Sequence, residues 1–165
     1  MWPFHSKLPG DDDVQVLHAQ ALSLAQSYGH DYIGVEHLFL AFRQLPQDRI
    51  IWAVLRGFDV NLEAFFTELK RKARVPIGRA APTTLPFTPR LQGIVRAADR
   101  MARHEHATHI SPLHLLAAII YERHSIPATL LAAAYQRSHS EIPYAKILAD
   151  TLLHRLLFPG YKEPK

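Results

Sequence analysis

An internal repeat constrains the fold of this chain more than any other feature of its sequence. When the sequence is aligned with itself so that Val14 falls on Leu91, Val14–Phe42 matches Leu91–Ile119 without a gap, with 7 of 29 positions identical. The identical pairs are Gln15/Gln92, Ala21/Ala98, Ala25/Ala102, Ile33/Ile110, His37/His114, Leu38/Leu115 and Ala41/Ala118. A period of this length indicates that one supersecondary unit occurs twice and that the two copies pack against each other.

Both units show the periodicity of helices, and neither has a convincing strand pattern. In the first unit the predicted helices cover about Val14–Tyr28, Val35–Leu45, Asp48–Arg56 and Leu62–Lys72. In the second they begin at Pro89 and continue over Leu113–Arg123, Ile126–Tyr135 and Glu141–Leu157. The side chains predicted to cap helix N-termini, because they can accept an orphan amide, belong to the run Asp11–Asp13 and to Asn61, Thr88 and Ser111.

These elements predict an all-α fold in which two four-helix repeats pack as a pseudo-twofold single domain. The first repeat covers residues 12–75 and the second 88–157, with tails at 1–11 and 158–165. The connector, 76–87, contains three prolines, which withhold backbone donors from a helix. Each repeat is too small to be well stabilised alone, so we expect a shared core.

Composition excludes several classes of protein. The chain has no cysteine, which removes disulfide scaffolds, thiol nucleophiles and cysteine-type metal sites. Its longest apolar runs, 113–121 and 128–135, are shorter than the ~18 residues of a membrane span. The first four residues lack a signal-peptide pattern. We therefore expect a soluble cytoplasmic protein with no membrane partner.

Three segments resemble the double Clp-N repeat, the N-terminal domain of Clp/Hsp100 protein-unfolding ATPases. They are Gly29–Leu40, which is similar to the family's signature, Phe87–Arg90, which is similar to the opening of its second repeat, and Ala53–Val60. The resemblance covers about Asp12 to Leu157. It implies a domain that receives adaptors and substrates.

No Gly-x-x-x-x-Gly-Lys-Ser/Thr phosphate loop occurs in the sequence, so the ATPase modules that follow this domain in the family are absent. We therefore expect a non-catalytic accessory or adaptor protein that binds a Clp ATPase, its adaptors or client segments, and that needs no cofactor. The predicted contact residues are Glu36, His37, Thr88, Pro89, Arg90, Arg96, Arg100, Arg103, Leu113 and His114.

The resemblance also implies a phosphoarginine site in some relatives, made by the motif glutamate and the threonine that opens the repeat's first helix. Transferred within each repeat, this gives two half-sites. The first repeat has Glu36 with Asp11 in place of threonine, and the second has Thr88 with Leu113 in place of glutamate. A carboxylate repels phosphate and leucine cannot bind a guanidinium, which argues against phosphoarginine recognition.

The alternative function is a nucleic-acid-associated regulator. The net charge is +4, divided as −1 over residues 1–75 and +5 over 76–165. Arg96, Arg100 and Arg103 share one face of a predicted helix, where phosphates could bind. Because no aromatic residues are interleaved with these arginines, a solvated face is the favoured interpretation and nucleic acid is not the favoured partner.

Two further patterns have structural interpretations that are favoured over functional ones. His104, His106, His109 and His114 form a run that could bind a metal, but only His114 has a repeat partner, His37. The repeated histidine favours a shared structural role, such as a buried ring hydrogen-bonded across a helix pair. Adjacent helical residues such as Glu36 and His37 point about 100° apart, so they do not converge as catalytic groups.

Overall fold

The structure is a computed structural model that describes residues 6–74 and 83–138, and these ranges contain seven α-helices. The helices are α1 (Asp12–Ser27), α2 (Val35–Ala41), α3 (Ile50–Gly57), α4 (Leu62–Ala73), α5 (Pro89–His104), α6 (Pro112–Glu122) and α7 (Ile126–Ser138). A 3₁₀ turn, Phe42–Gln44, extends α2. The predicted helix over 141–157, the C-terminal tail and residues 75–82 of the linking region lie outside the described residues.

The predicted N-caps are confirmed, and of the three acidic candidates at the start of α1 it is Asp11 that caps the helix. The amides of Val14, Ala64 and Leu91 donate to the side chains of Asp11 (2.8 Å), Asn61 (3.0 Å) and Thr88 (3.2 Å). Ser111 is the N-cap residue of α6, as predicted, and both its hydroxyl (2.8 Å) and its amide (2.9 Å) contact Nδ1 of His114. The imidazole of His114 therefore forms hydrogen bonds with the residue that caps its own helix.

A short parallel bridge joins the loop before α2 to the segment before α5. Ile33 pairs with Phe87. The amide of Ile33 donates to the carbonyl oxygen of Pro86 (2.8 Å), and the amide of Thr88 donates to the carbonyl oxygen of Ile33 (3.0 Å). We call this pairing the first cross-repeat bridge.

The second cross-repeat bridge makes the same bonds with the repeats exchanged. Gly10 pairs with Ile110, whose amide donates to the carbonyl oxygen of Pro9 (2.8 Å) and whose carbonyl oxygen accepts from the amide of Asp11 (2.9 Å). The same alignment that relates the two repeats converts each bond of one bridge into a bond of the other. The predicted pseudo-twofold arrangement is therefore confirmed in the backbone hydrogen bonds.

Both repeats contribute to one hydrophobic core. Within the repeats α1 packs on α2 and α5 on α6, and between them α7 packs against α2 and α4. In the first repeat the core is aromatic, with edge-on and tilted rings of Phe39, Phe42, Phe65, Phe66 and Trp52. Burying each such ring stabilises the fold by about 1.5–3 kcal/mol. This shared core fixes where the surface segments at the helix starts lie.

Candidate interaction site

The start of α2 and the start of α5 meet at a surface corner, here called the first corner (residues 33–37 and 88–90). The Glu36 carboxylate folds back over the N-terminus of α2 and accepts a hydrogen bond from its own amide. A methyl group at Gly34 would collide with this carboxylate, so glycine provides space there. Burial raises the pKa of Glu36, while the nearby charge of Arg90 acts in the opposite direction. The side chain remains 13% exposed, so a partner can reach its edge.

The imidazole of His37 is fully buried beneath the first corner. Its Nδ1 accepts a hydrogen bond from the amide of Gly34 (2.9 Å), and its Nε2 lies 2.8 Å from Nδ1 of His30. Because Nδ1 is an acceptor, we infer that the ring proton is on Nε2 and is donated to His30. Burial, with a smaller contribution from His30, lowers the pKa of His37 to about 4. The ring therefore caps α2 as a neutral group.

His114 has the same role at the start of α6. Its Nδ1 accepts from the amide of Ser111 (2.9 Å), and its Nε2 lies 3.3 Å from Oε2 of Glu105. Burial lowers its pKa. The repeated histidine is thus buried and hydrogen-bonded, as expected. The amide that donates to it belongs to the N-cap residue of its own helix. Neither ring offers a broad surface to a partner.

The α5 side of the first corner is more exposed. Pro89 and Arg90 lie at the surface. The guanidinium of Arg90 forms an ion pair with Glu122 (Nε to Oε1, 3.2 Å) and donates to the carbonyl oxygen of His124 (3.0 Å). Arg90 therefore fastens the turn between α6 and α7 to the start of α5, while half of its side chain stays exposed.

The sequence pairs the glutamate and threonine motif positions within one repeat, whereas the structure brings motif segments of different repeats together. The first cross-repeat bridge brings the segment of Glu36 to Thr88 of the other repeat, and the second brings Asp11 to the segment that precedes Leu113. Both residue types that the resemblance requires are therefore present at the first corner. At the second corner (residues 10–11 and 110–114) neither is present, and burial raises the pKa of Asp11.

The predicted arginine face on α5 is only partly free. Arg96 and Arg100 are exposed, whereas Nε of Arg103 donates to Oδ2 of Asp99 (3.0 Å). Asp99 is only 5% exposed, and its Oδ1 accepts from the amide of Leu8 (2.9 Å). Arg103 thus neutralises a buried carboxylate that fastens the segment before α1, and two arginines remain for a partner.

A cationic surface on the first repeat was not predicted as a site. Arg43, Lys70 and Arg74 line a groove at the C-terminal ends of α1 and α4. In the sequence, Lys70 indicates only a favourable charge at a helix C-terminus. Arg43 comes much earlier in the chain, before α3, so nothing in the sequence links the two.

In the described part of the chain, no group of three or more histidine or acidic side chains is placed to hold a metal ion. His104, His106 and His109 are exposed around the end of α5, and His114 is buried in α6. Over residues 6–74 and 83–138, no helix combines the length and the apolar character needed to cross a bilayer.

Comparison with known proteins identifies the fold. Residues 11–134 match the family model of the Clp repeat (R) N-terminal domain. The Hsp104 N-terminal domain from Candida albicans has 11% sequence identity and a TM-score of 0.59, over 82% of this chain and 95% of that chain. The N-terminal domain of the chaperone ClpD from Arabidopsis thaliana has 15% identity and a TM-score of 0.50, over 84% and 99%.

A third similar structure comes from a study of coevolution of the ATPase ClpV, the TssB-TssC sheath and the accessory HsiE protein in type VI secretion. It has 16% identity and a TM-score of 0.63, covering 86% of this chain and 84% of that chain. Among curated proteins, none has a significantly similar sequence.

The double helical repeat, with a helix start of each repeat lying against a segment of the other, defines an all-α repeat domain. The chain belongs to the Clp repeat (R) N-terminal domain family. Domains of this family are non-catalytic interaction modules of Clp ATPases.

Proposed function

We propose that this chain is an accessory or adaptor protein that binds a Clp chaperone or protease, its adaptors or its client proteins, and that it carries out no chemistry of its own. The observation that carries the proposal is the family match over residues 11–134, which spans both repeats and both corners. A domain with both repeats retains the surfaces through which the family binds proteins.

Exposure divides the predicted contact residues into two groups. Pro89, Arg90, Arg96 and Arg100 are exposed, and the edge of Glu36 is accessible. These residues are available to a partner directly. The buried histidines at the starts of α2 and α6 support the corners from within and act on a partner only through the backbone they hold.

The described residues do not favour the nucleic-acid alternative. Arg103 is exposed like the other two, but its charge is partly neutralised by the buried carboxylate of Asp99. Phosphate binding depends on the number of free cations, and each one lost weakens it. We therefore do not propose this function.

The test is affinity capture with the tagged full chain, followed by quantitative mass spectrometry. The expected result is enrichment of a Clp ATPase, a Clp adaptor or substrates of Clp proteolysis. Binding of the enriched protein is then measured with purified components. Recovery of no chaperone, protease or client would contradict the proposal.

Matched variants distinguish specific capture from non-specific binding. Leu113→Asp places a charge at the partly exposed start of α6, in the second corner, and should reduce capture. Val16→Asp places the same charge on α1, where Val16 is 43% exposed, and should leave capture unchanged. Equal loss in both variants would indicate that the second corner is not the contact surface.

A further inference from the structure

A groove with cationic walls runs between the C-terminal end of α1 and the last turns of α4. Two cavities, of about 720 and 550 Å³, are both lined by Ser27, Tyr28, Lys70 and Arg74, so they form one continuous depression. Arg71 lines the first cavity and Arg43 the second. We call this depression the basic groove.

Aromatic rings hold two of these cations in place. The guanidinium of Arg74 lies 5.7 Å from the ring centroid of Tyr28, and that of Arg43 lies 5.3 Å from the ring centroid of Phe66. Cation–π contacts of this length restrict the guanidinium groups without removing their charge. The positive charge of the basic groove is therefore positioned before a partner arrives.

The carboxylates near the basic groove neutralise only part of its charge. Arg43 lies 3.4 Å from Glu63, and Arg71 lies 2.7 Å from Glu68. Among the described residues, Lys70 and Arg74 form no ion pair with a carboxylate. These two cations give the groove a local excess of positive charge.

Stabilisation of α4 does not account for this arrangement. Cations in the last turn of a helix favour its dipole, which explains Lys70 and Arg71. Arg43 belongs to the 3₁₀ turn after α2, and so lies outside α4. The repeat equivalent of Tyr28 is Glu105, so the repeat fold itself does not require an aromatic ring at this position.

The remaining segments of this chain do not complement the basic groove. Residues 75–82 carry one arginine and no carboxylate, and residues 139–165 carry four Lys and Arg against three Asp and Glu. None of these segments has the excess negative charge that would complement the groove, so we consider a segment of a partner as the occupant. The guanidinium groups cover ring faces of Tyr28 and Phe66 on which bases of a nucleic acid would stack. Leu24 and Leu40 supply an apolar floor that suits aliphatic side chains.

We propose that the basic groove binds an acidic, extended peptide segment of a protein partner, with carboxylates at Lys70 and Arg74 and apolar side chains on the floor. This proposal rests on the proposed function as a protein-interaction module and names the chemistry of one partner segment. Electrostatic complementarity of this kind selects partners and accelerates their association.

The test uses the full chain and a fluorescein-labelled peptide of about ten residues, alternating glutamate and leucine, with binding followed by anisotropy. The variant Lys70→Gln/Arg74→Gln is compared with Lys7→Gln/Arg56→Gln, which removes the same amount of charge from two exposed positions that line neither cavity. The first variant should weaken binding at least about tenfold and the second by less than about twofold. Raising the salt from about 50 to about 300 mM should weaken wild-type binding. Circular dichroism verifies that both variants are folded.

Three outcomes would overturn the proposal: no binding, equal weakening by both variants, or tighter binding of a single-stranded oligonucleotide of similar length that displaces the peptide. Failure here is distinct from failure of the proposed function. If Lys70→Gln/Arg74→Gln still captures a Clp partner at the wild-type level, the basic groove is not the contact and the proposed function stands. If the peptide binds as expected but no Clp partner is captured, the proposed function fails and the groove assignment stands.

Discussion

Ile33 and Thr88 belong to different repeats, and the amide of Thr88 donates to the carbonyl oxygen of Ile33 across a distance of 3.0 Å. Asp11 and Ile110 form the equivalent bond at the other end of the pseudo-twofold pair. Each repeat thus supplies the strand-like segment that pairs with the loop of the other. The first corner is a product of both repeats, and several expectations follow from this geometry.

Substitutions at Thr88 should separate its two roles. Thr88→Ala removes the hydroxyl cap of α5 and should lower the free energy of unfolding by about 1 kcal/mol. Thr88→Pro also removes the amide that donates to Ile33, and should cost about 1 kcal/mol more. The backbone at Thr88 has φ −59°, which proline adopts without strain. Urea unfolding measures both, with exposed Thr84→Ala as the control; equal stabilities of the two Thr88 variants would argue against the bridge.

The titration of His37 should make the folded protein less stable as the pH falls from about 6.5 to about 4. In the unfolded chain His37 has the ordinary pKa of 6.5, and burial lowers it to about 4 in the folded protein. The unfolded state therefore binds more protons in this window, which favours unfolding by up to about 3 kcal/mol at its acidic end. Above pH 6.5 the ring is neutral in both states and this effect vanishes.

The variant His37→Gln checks the assignment of that pH dependence. A glutamine at this helix position can accept the amide of Gly34 without titrating. We expect a less stable protein whose unfolding free energy depends less on pH between 4 and 6.5. His124→Gln, at an exposed position, should keep the wild-type slope. An unchanged slope in His37→Gln would assign the effect to other groups.

Gly34→Ala should be modestly destabilising, by about 1 kcal/mol, because the new methyl group displaces the Glu36 carboxylate from the start of α2. In a protein that already carries Glu36→Ala, the substitution Gly34→Ala should lower the free energy of unfolding much less than in the wild type. A double-mutant cycle measures this difference. Gly57→Ala is the matched control, since no atom lies within 4 Å of a Cβ there. Additive effects of the two substitutions would show that Gly34 is constrained by something other than Glu36.

Asp99→Ala should destabilise the protein by about 2 kcal/mol, because it leaves the amide of Leu8 without its buried acceptor. It should also accelerate proteolytic cleavage before α1, where the segment loses its attachment to α5. The exposed Asp48→Ala variant should change neither the melting temperature nor the cleavage rate. If Asp99→Ala is cleaved at the same rate as the wild type, the second cross-repeat bridge alone is enough to fasten this segment.

Phosphoarginine provides a test of the corrected pairing. We propose that a phosphoarginine peptide binds at the first corner, where Glu36 and Thr88 occur together, and not at the second. Titration calorimetry should therefore detect a single site that Glu36→Ala abolishes and Leu113→Ala does not affect. Two sites, or a site insensitive to Glu36, would contradict this assignment.

The sequence predicts the local features of this fold well. The caps Asp11, Asn61 and Thr88 need only residues a few positions away, and the helix patterns depend on side chains along one element. The repeated histidine was also recognisable, because His37 and His114 occupy the same position in each copy.

The features that were missed depend on contacts between distant segments. The proximity of the Glu36 segment to Thr88 was missed because the bridges cross between repeats, and a sequence shift cannot reveal such an exchange. The basic groove was missed because Arg43 and Arg74 come from separate elements that only the aromatic core brings together.

The two cross-repeat bridges are alike in geometry but unlike in the loops they close. The stretch of chain between Ile33 and Phe87 is little more than half as long as the stretch between Gly10 and Ile110. Closing the longer loop costs about 0.5 kcal/mol more chain entropy. We therefore expect the Ile33–Phe87 bridge to form first during folding, so that α5 docks onto the first repeat before the segment preceding α1 is fixed. The native protein is pseudo-symmetric, but the order in which its two bridges form is not.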